Sequence, residues 1–270
     1  MFQRRQSDGV VYYSSTLLHS VGAPHAFSTR IGGVSPAPFD SLNLGNPNGC
    51  ESQDDYDRIW ENYRLLHRAA GCHDRQRPCR VHQVHGNAVA VVRGGQEFDT
   101  RVKADALVTD DPSRTLSVRV ADCVPILIAD GDGRHVAAVH AGWRGVVGGA
   151  VTAAMKFLSA AAPGGRFVAA IGPCIGVDAF EVGEEVLAAF VRAFGEQSRA
   201  ICRPGEPGKG FVDLKEAVRR QLLAAGVDAD RIDVSDRCTF RDADEFYSHR
   251  RENGVTGRMA AVIRCRATSA

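Results

Sequence analysis

The sequence has no excess charge of either sign and no long apolar run. Its 33 Lys and Arg residues almost balance 32 Asp and Glu residues, which leaves a formal net charge of +1. No global field therefore favours nucleic acid or an anionic membrane. No segment approaches the roughly 18 uninterrupted apolar residues of a membrane helix, and the first residues contain no apolar run of signal-peptide length. We expect a cytoplasmic protein that binds neither nucleic acid nor membrane, with an oligomeric state that the sequence leaves open.

The cysteines and histidines also lack familiar groupings. The eight cysteines contain no C-x-x-C pair and no regular spacing, which excludes a disulfide framework of the kind that staples small secreted domains. The nine histidines contain no His-x-His pair, the arrangement that generally holds the multinuclear copper cluster of a laccase. A laccase-type oxidase is therefore disfavoured.

Short β-like runs alternate with helical periodicity along the chain. The pattern predicts a strand over residues 10–18, a helix from about residue 56 that Asp54 caps and Gly71 ends, and a tight hairpin turn over residues 130–133. A long helix is predicted over residues 145–161. Consecutive hairpins mixed with helices indicate an α+β fold with a mixed sheet.

The segment 136–149, VAAVHAGWRGVVGG, concentrates the expected chemistry. Four apolar residues predict a buried strand that ends at His140, and a glycine-flanked turn then starts the predicted helix. Free backbone N–H groups at a helix start favour an anion. Arg144 lies at this turn, so we expect it to contact an anionic substrate, with a bidentate contact contributing about 1.5–3 kcal/mol.

Three separate β-type segments each supply one ligand of the kind that zinc prefers: His85, Cys123 and His140. Three ligands without a fourth are typical of catalytic zinc, which keeps an open position. The alternatives are ordinary: Cys123 between apolar residues can be a small hydrophobe, and His140 can be a structural histidine. His82 is a second histidine in the same loop. If this loop is extended, His82 and His85 face opposite sides, and Gly86 favours close approach at His85.

Several motifs together resemble one family. They are STRIGGVS, SLNLG, HQVHG, ADCVPIL, AVHAGWRGVVGG, IGPCIGVDAFEVG and the tail DRCTF…FYSHRR…TGRMA. In order and register, over residues of about 26 to 263, the chain resembles the laccase-domain family, whose members are also called polyphenol oxidases or multifunctional purine nucleoside phosphorylases. The resemblance implies one zinc ion bound by His85, Cys123 and His140. His82 departs from the usual residue of that loop.

The resemblance further implies a single domain over residues 1–270, with residues 1–24 as an N-terminal extension and first strand. The implied fold is a layered α+β sandwich, similar to a cysteine-hydrolase fold. The implied activity is phosphorolysis of adenosine, inosine and S-methyl-5′-thioadenosine, plus adenosine deamination. In this reading Cys123, His140 and Arg144 take part in the reaction, Arg30 and Arg144 bind phosphate, and Asn43 either contacts substrate or stabilises its turn.

Other functions remain open at this point. The proton donor to a leaving purine is not identified, and Asp122, Glu181 and His249 are the alternatives. Cys123 with His140 as its base would suit a cysteine hydrolase that cleaves amides of peptidoglycan precursors. His₂Cys can also hold copper, so Cu²⁺ is an alternative to Zn²⁺. A zinc-stabilised binding protein is the non-enzymatic alternative.

Overall fold

The computed structural model describes residues 1–47, 49–72, 77–95 and 97–267. The strands in these ranges are β1 Phe2–Ser7, β2 Val10–Ser15, β3 His25–Ser28, β4 Val89–Val91, β5 Ala106–Thr109, β6 Thr115–Val120, β7 Val124–Asp130, β8 Val136–Ala141, β9 Phe167–Ile171, β10 Glu181–Gly183, β11 Cys202–Pro204, β12 Lys209–Val212, β13 Ile232–Val234 and β14 Met259–Arg264. The α-helices are α1 Thr16–Ser20, α2 Tyr56–Ala70, α3 Trp143–Val147, α4 Ala150–Ala161, α5 Glu184–Phe194 and α6 Leu214–Ala224.

Two large sheets form the centre of the fold. The first has the order β1-β2-β3-β14-β6 and is antiparallel throughout. The second has the order β13-β9-β7-β8-β5-β4, with parallel pairs at both edges and antiparallel pairs between them. The predicted mixed sheet is confirmed. A small third sheet, β10-β12-β11, covers one end.

Alternation along β14 shows how the first sheet packs. Ala261 and Ile263 lie in the apolar cluster between the two large sheets, while Ala260 and Val262 face the cluster under α2. Successive side chains of a strand point to opposite faces, so this strand is buried on both. Its uninterrupted apolar sequence is the expected consequence.

The second sheet is buried on both faces for the same reason. In β7, Leu127 faces the first sheet, whereas Ile126 and Ile128 pack under α4 and α6. The order of layers is therefore helix α2, first sheet, second sheet, and helices α3 to α6. This confirms the predicted α+β layered sandwich.

Three local predictions are corrected by the structure. The strand predicted over residues 10–18 ends at Ser15, whose hydroxyl accepts from Leu18 N at 3.2 Å and starts α1. The cap of α2 is Asp55 rather than Asp54. The helix predicted over residues 145–161 is two helices, because Gly149 adopts a left-handed φ of 76° between α3 and α4.

Cys123 lies where the chain crosses between the two large sheets. Residues 121–123 connect β6 of the first sheet to β7 of the second, and β8 ends beside them. Chain reversals at a sheet end leave side chains free to converge. Among the described residues, no helix is both long and apolar enough to cross a membrane.

Candidate metal centre and active-site cleft

The structure brings His85, Cys123 and His140 together. Their ligand atoms all lie within 4.8 Å of one another. Cys123 directly precedes β7 and His140 is the penultimate residue of β8, and the antiparallel pairing of Val124 with Ala141 sets them side by side. In the described ranges, no fourth His, Cys, Asp or Glu joins the group. The group can therefore bind a metal ion with one position left for water or substrate.

Asp105 orients two of these ligands. Its carboxylate, which is fully buried, accepts from His140 Nδ1 at 2.8 Å and from His85 N at 2.9 Å. A carboxylate only accepts, so Nδ1 of His140 carries the hydrogen and Nε2 is left for a metal. The other carboxylate oxygen accepts from Val84 N and Gly86 N at 3.2 and 2.7 Å. One carboxylate therefore fixes the ring of His140 and the whole His85 loop.

Two residues of the site adopt the left-handed backbone region that L side chains rarely occupy. His85 has φ 60° and Asp122 has φ 84°. Such conformations cost of the order of 1–3 kcal/mol and persist where surrounding contacts fix them. Asp105 fixes the first. The carboxylate of Asp122 fixes the second by accepting from Thr239 Oγ1 at 2.6 Å, Ser248 Oγ at 3.0 Å and the backbone N of Arg250 at 2.7 Å.

Gly142 leaves space for the ligands. A Cβ at this position would lie 2.8 Å from Cδ2 of His85 and 3.1 Å from Sγ of Cys123. Both distances are shorter than ordinary van der Waals contact, so any side chain here would push the two ligands apart. The donor set, the space and the oriented imidazole together fit a zinc ion.

The three groups also perturb one another electrostatically. Burial opposes ionisation of Cys123, but the positive charge of His140 and hydrogen bonds with both histidines lower the thiol pKa to about 6. Burial likewise opposes protonation of His140, but the Cys123 thiolate and Asp105 raise its pKa to about 9. These interactions favour the thiolate of Cys123, which is the form that binds metals and attacks electrophiles.

A cleft of about 400 Å³ opens beside the ligands. Four arginines contribute to its lining: Arg119, Arg144, Arg250 and Arg258. Within the described residues none of the four is in an ion pair, and Asp122 is the one carboxylate of the lining. Because four guanidinium groups face one carboxylate, the lining has a surplus of positive charge.

The predicted substrate contacts occupy different places. Arg144 lines the cleft, is exposed and lies 4.3 Å over the ring of Trp143. Arg30 is outside the lining, and its guanidinium donates to Asp40 and to Ala243 O. Asn43 is also outside and fully buried. The roles predicted for Arg30 in phosphate binding and for Asn43 at the substrate stay predictions.

The three alternatives for a proton donor also differ in whether they line the cleft. His249 lines the cleft, whereas Glu181 is outside the lining and pairs with Lys209 at 2.9 Å. Asp122 is in the lining, but its carboxylate is held by the three donors described above. His249 is therefore the titratable side chain that reaches the cleft without such a commitment. His82 is exposed and forms an isolated backbone β-bridge with Lys103. It is not part of the group formed by the three ligands.

Comparison with known proteins places the chain in a family. The sequence model of the family described as multi-copper polyphenol oxidoreductase laccase matches residues 24–266. The chain belongs to this family. The motifs that suggested the laccase-domain family thus lead to the correct assignment.

Two curated members of the family show the extent of the similarity. A purine nucleoside phosphorylase of Pseudomonas aeruginosa is 41% identical over 236 residues, which cover 87% of this chain and 90% of that protein. The purine nucleoside phosphorylase YfiH of Escherichia coli is 38% identical over 242 residues, covering 90% and 93%. The crystal structure of YlmD from Geobacillus stearothermophilus matches with a TM-score of 0.86 at 34% identity, covering 98% of this chain and 99% of that one.

Sequence reasoning missed Asp105 and the two deep arginines of the cleft, Arg119 and Arg258. Asp105 precedes β5, where an aspartate reads as a turn residue. Only the pairing of β5 with β8 places it beside His140, whose N donates to Asp105 O at 2.7 Å. The sequence did contain a weak signal: an acidic residue stands directly before the fully buried strand ALVT.

Proposed function

We propose that the protein is a zinc-dependent purine nucleoside phosphorylase that acts on adenosine, inosine and S-methyl-5′-thioadenosine and also deaminates adenosine. The observation that carries this proposal is one cleft that holds both a His-Cys-His group and arginines without ion-pair partners. Relatives at about 40% identity that are named purine nucleoside phosphorylases support it.

Zinc fits the donor set better than copper. Among the described residues, His85, Cys123 and His140 form the one cluster of three or more potential ligands, whereas a multicopper oxidase needs several histidine-rich sites. When bound, a zinc ion supplies a Lewis acid that polarises a substrate oxygen and makes water more acidic. His85, Cys123 and His140 would hold it, and Asp105 would keep Nε2 of His140 turned toward it.

Phosphorolysis breaks the C1′–N9 bond of the nucleoside and forms a bond between C1′ and a phosphate oxygen. The products are the purine, whose nitrogen takes a proton as it leaves, and a sugar 1-phosphate: ribose 1-phosphate from adenosine or inosine and 5-methylthioribose 1-phosphate from S-methyl-5′-thioadenosine. We assign this proton to His249, because it is the uncommitted titratable side chain of the lining. Arginines of the lining would hold the phosphate. Deamination instead uses water and releases ammonia.

The proposal is tested by incubating the zinc-loaded protein with each nucleoside, with and without phosphate, and separating base, ribose 1-phosphate and inosine. We expect free base only when phosphate is present, and inosine from adenosine in both conditions. Cys123→Ala should abolish both reactions. Cys202→Ala is the matched control, since Cys202 is also half-buried but lies outside the cleft. Failure of the wild type to release base from any of the three nucleosides would contradict the proposal.

A second function has one specific observation in its favour. Asp105 bonds His140 and His140 bonds Cys123, as in a Cys-His-Asp hydrolase, and the thiol pKa is lowered to about 6. Such an enzyme would cleave an amide, for example in a peptidoglycan precursor. A chelator separates the functions: phosphorolysis by the zinc-loaded protein should stop, whereas a thiolate nucleophile should keep working. Amide cleavage that survives metal removal would establish the hydrolase.

A further inference from the structure

We infer that Arg119 and Arg258 form a second, deeper oxyanion subsite of the cleft, and that this pair rather than Arg144 takes the phosphate dianion. The inference rests on the proposed function for the identity of the anion. The subsite itself rests on the geometry of the two arginines.

Arg119 is a charged side chain on a strand whose neighbours are apolar. It alternates in β6 with Val118 and Val120, which lie in the core between the sheets. Its own side chain emerges on the opposite face and reaches the cleft. Nε is buried without a hydrogen-bond partner, and no described residue accepts from the guanidinium. An unsatisfied buried donor costs about 1–3 kcal/mol, more when charged, so this donor set calls for an acceptor.

The backbone of Arg119 is held in place although its guanidinium is not. Gln83 donates Nε2 to Arg119 O at 2.8 Å and accepts from Arg119 N at 2.9 Å. The guanidinium stem packs on Gly45, where a Cβ would lie 2.7 Å from Cδ of Arg119. The side chain is thus positioned by contacts that do not use its charge. This is the organisation of a binding site built ahead of its ligand.

Arg258 is held by the SLNLG segment. Its N donates to Asn43 Oδ1 at 2.9 Å, and its O accepts from Leu44 N at 2.9 Å. Nη1 donates to Thr256 O and Gly257 O, which leaves Nε and Nη2 without a partner in the described structure. Asn43 therefore acts as a positioning residue. Its side-chain oxygen accepts from Arg258 N and also from Gly45 N at 3.1 Å, so it holds both the backbone of Arg258 and the glycine on which Arg119 packs.

The two guanidinium groups repel each other. Burial lowers the pKa of Arg258, and the charge of Arg119 lowers it further, while Cys123 and Asp122 act in the opposite direction. Arginine stays charged at any physiological pH, so this repulsion persists until an anion enters. The pair lies beside the metal group, because both arginines line the same cleft as the three ligands. A tetrahedral dianion bound there would accept from both planar forks at once.

Arg144 is a weaker phosphate contact by comparison. It is exposed and already packed on the face of Trp143, and charge interactions in water are screened. Arg250 is also committed, since its guanidinium donates to Glu181 O at 3.0 and 3.1 Å. Arg119 and Arg258 are therefore the arginines of the lining with free, shielded donors.

The test measures binding of inorganic phosphate to the zinc-loaded protein by calorimetry, without nucleoside. Arg119→Gln and Arg258→Gln should each raise the Kd for phosphate by roughly ten- to a hundredfold. Arg144→Ala should raise it by less. Arg80→Gln is the matched control: it removes one nearby positive charge that is outside the lining, and phosphate binding should change little. Gly45→Ala keeps every charge but displaces Arg119, so it should also weaken binding.

Two further measurements fix the source of the phosphate and guard against misfolding. If the pair binds free phosphate, adenosine 5′-monophosphate and adenosine should compete with it equally poorly; strong competition by the monophosphate alone assigns the pair to a nucleotide 5′-phosphate. Arg119→Lys retains the charge and should bind phosphate better than Arg119→Gln. Melting temperatures of all variants show which of them are folded.

Failure of the inference and failure of the proposed function are distinguishable. If the wild type cleaves nucleosides but folded Arg119→Gln and Arg258→Gln bind phosphate normally, the subsite is refuted and the function stands. If both variants bind phosphate more weakly than the wild type, and the wild type cleaves no nucleoside, the subsite stands and the function is refuted. Weaker phosphate binding in Arg144→Ala alone would refute the subsite and place the phosphate site at the cleft mouth.

Discussion

Replacement of Asp105 by asparagine tests how strongly the buried carboxylate shapes the metal site. All four groups that contact Asp105 are N–H donors: His140 Nδ1 and the amides of Val84, His85 and Gly86. An asparagine has one acceptor oxygen, so its NH₂ group must face two of these donors. Asp105→Asn therefore loses two hydrogen bonds at nearly constant shape and also removes the negative charge beside His140.

The expected magnitude follows from these contacts. Loss of a carboxylate that orients a metal-bound histidine typically lowers metal affinity about 10- to 100-fold, which corresponds to roughly 1.4–2.7 kcal/mol. Two unsatisfied buried donors cost about 1–3 kcal/mol each in stability. We therefore expect Asp105→Asn to weaken zinc binding by at least about tenfold and to lower the melting temperature of the metal-free protein as well.

The assay is competition for zinc against a chromophoric chelator, with Asp130→Asn as the matched control. Asp130 is also buried and also accepts from a histidine, His135 Nδ1 at 2.6 Å, but it is the last residue of β7, at the hairpin that leads to β8. The control should lose stability without losing zinc affinity. Equal zinc affinity in Asp105→Asn and the wild type would refute the positioning role, as would an equal loss in both variants.

Three further predictions follow from the described contacts. Gly142→Ala places a Cβ 2.8 Å from the His85 ring, so it should lower zinc affinity about tenfold in the same competition assay; unchanged affinity would mean that the ligands tolerate the shift. His82→Gln should retain one zinc per chain by elemental analysis, since His82 is exposed and outside the ligand group; loss of zinc would show that the wrong histidine was chosen. Burial lowers the pKa of His25 to about 4, so the unfolded chain, with its normal His pKa of about 6.5, binds this proton first as pH falls. Protonation of His25 in the unfolded chain should therefore lower the free energy of unfolding by about 2 kcal/mol between about pH 7.5 and pH 5. Urea unfolding at both pH values should show a smaller loss of unfolding free energy for His25→Asn than for the wild type. An equal loss in the two proteins would contradict this prediction.

Most of the layered architecture could be predicted because it depends on local patterns. Apolar strands and the end of α2 at Gly71 both depend on interactions within a few residues. The break between α3 and α4 is also local: Gly148 and Gly149 stand inside an apolar helical pattern. Periodicity carried the prediction across them, although two adjacent glycines weaken a helix by about 1 kcal/mol each.

The site was less predictable because its parts meet through register. His85, Cys123 and His140 could be selected by residue type and by family resemblance. Arg119 could not, since its alternation with Val118 and Val120 is typical of a solvent-facing position. The face on which it lies is instead covered by α2, whose Tyr63 bonds Ser117 of the same strand face at 3.2 Å. Sequence shows the alternation but not which element covers each face.

The distribution of charge in the cleft distinguishes the functions considered for this family. An oxidase of neutral phenols would derive little from arginines that lack ion-pair partners, and a buried charge is costly unless a ligand compensates for it. A cysteine hydrolase would use Asp105, His140 and Cys123 but would give His85 no role, although its strained backbone is held at φ 60° by Asp105. The proposed phosphorolysis would use every one of these features: a third metal ligand, shielded guanidinium groups for phosphate, and a glycine that keeps the centre open. The cost of holding Arg119 and Arg258 together is thus best explained by a dianion that enters beside the metal group during the reaction.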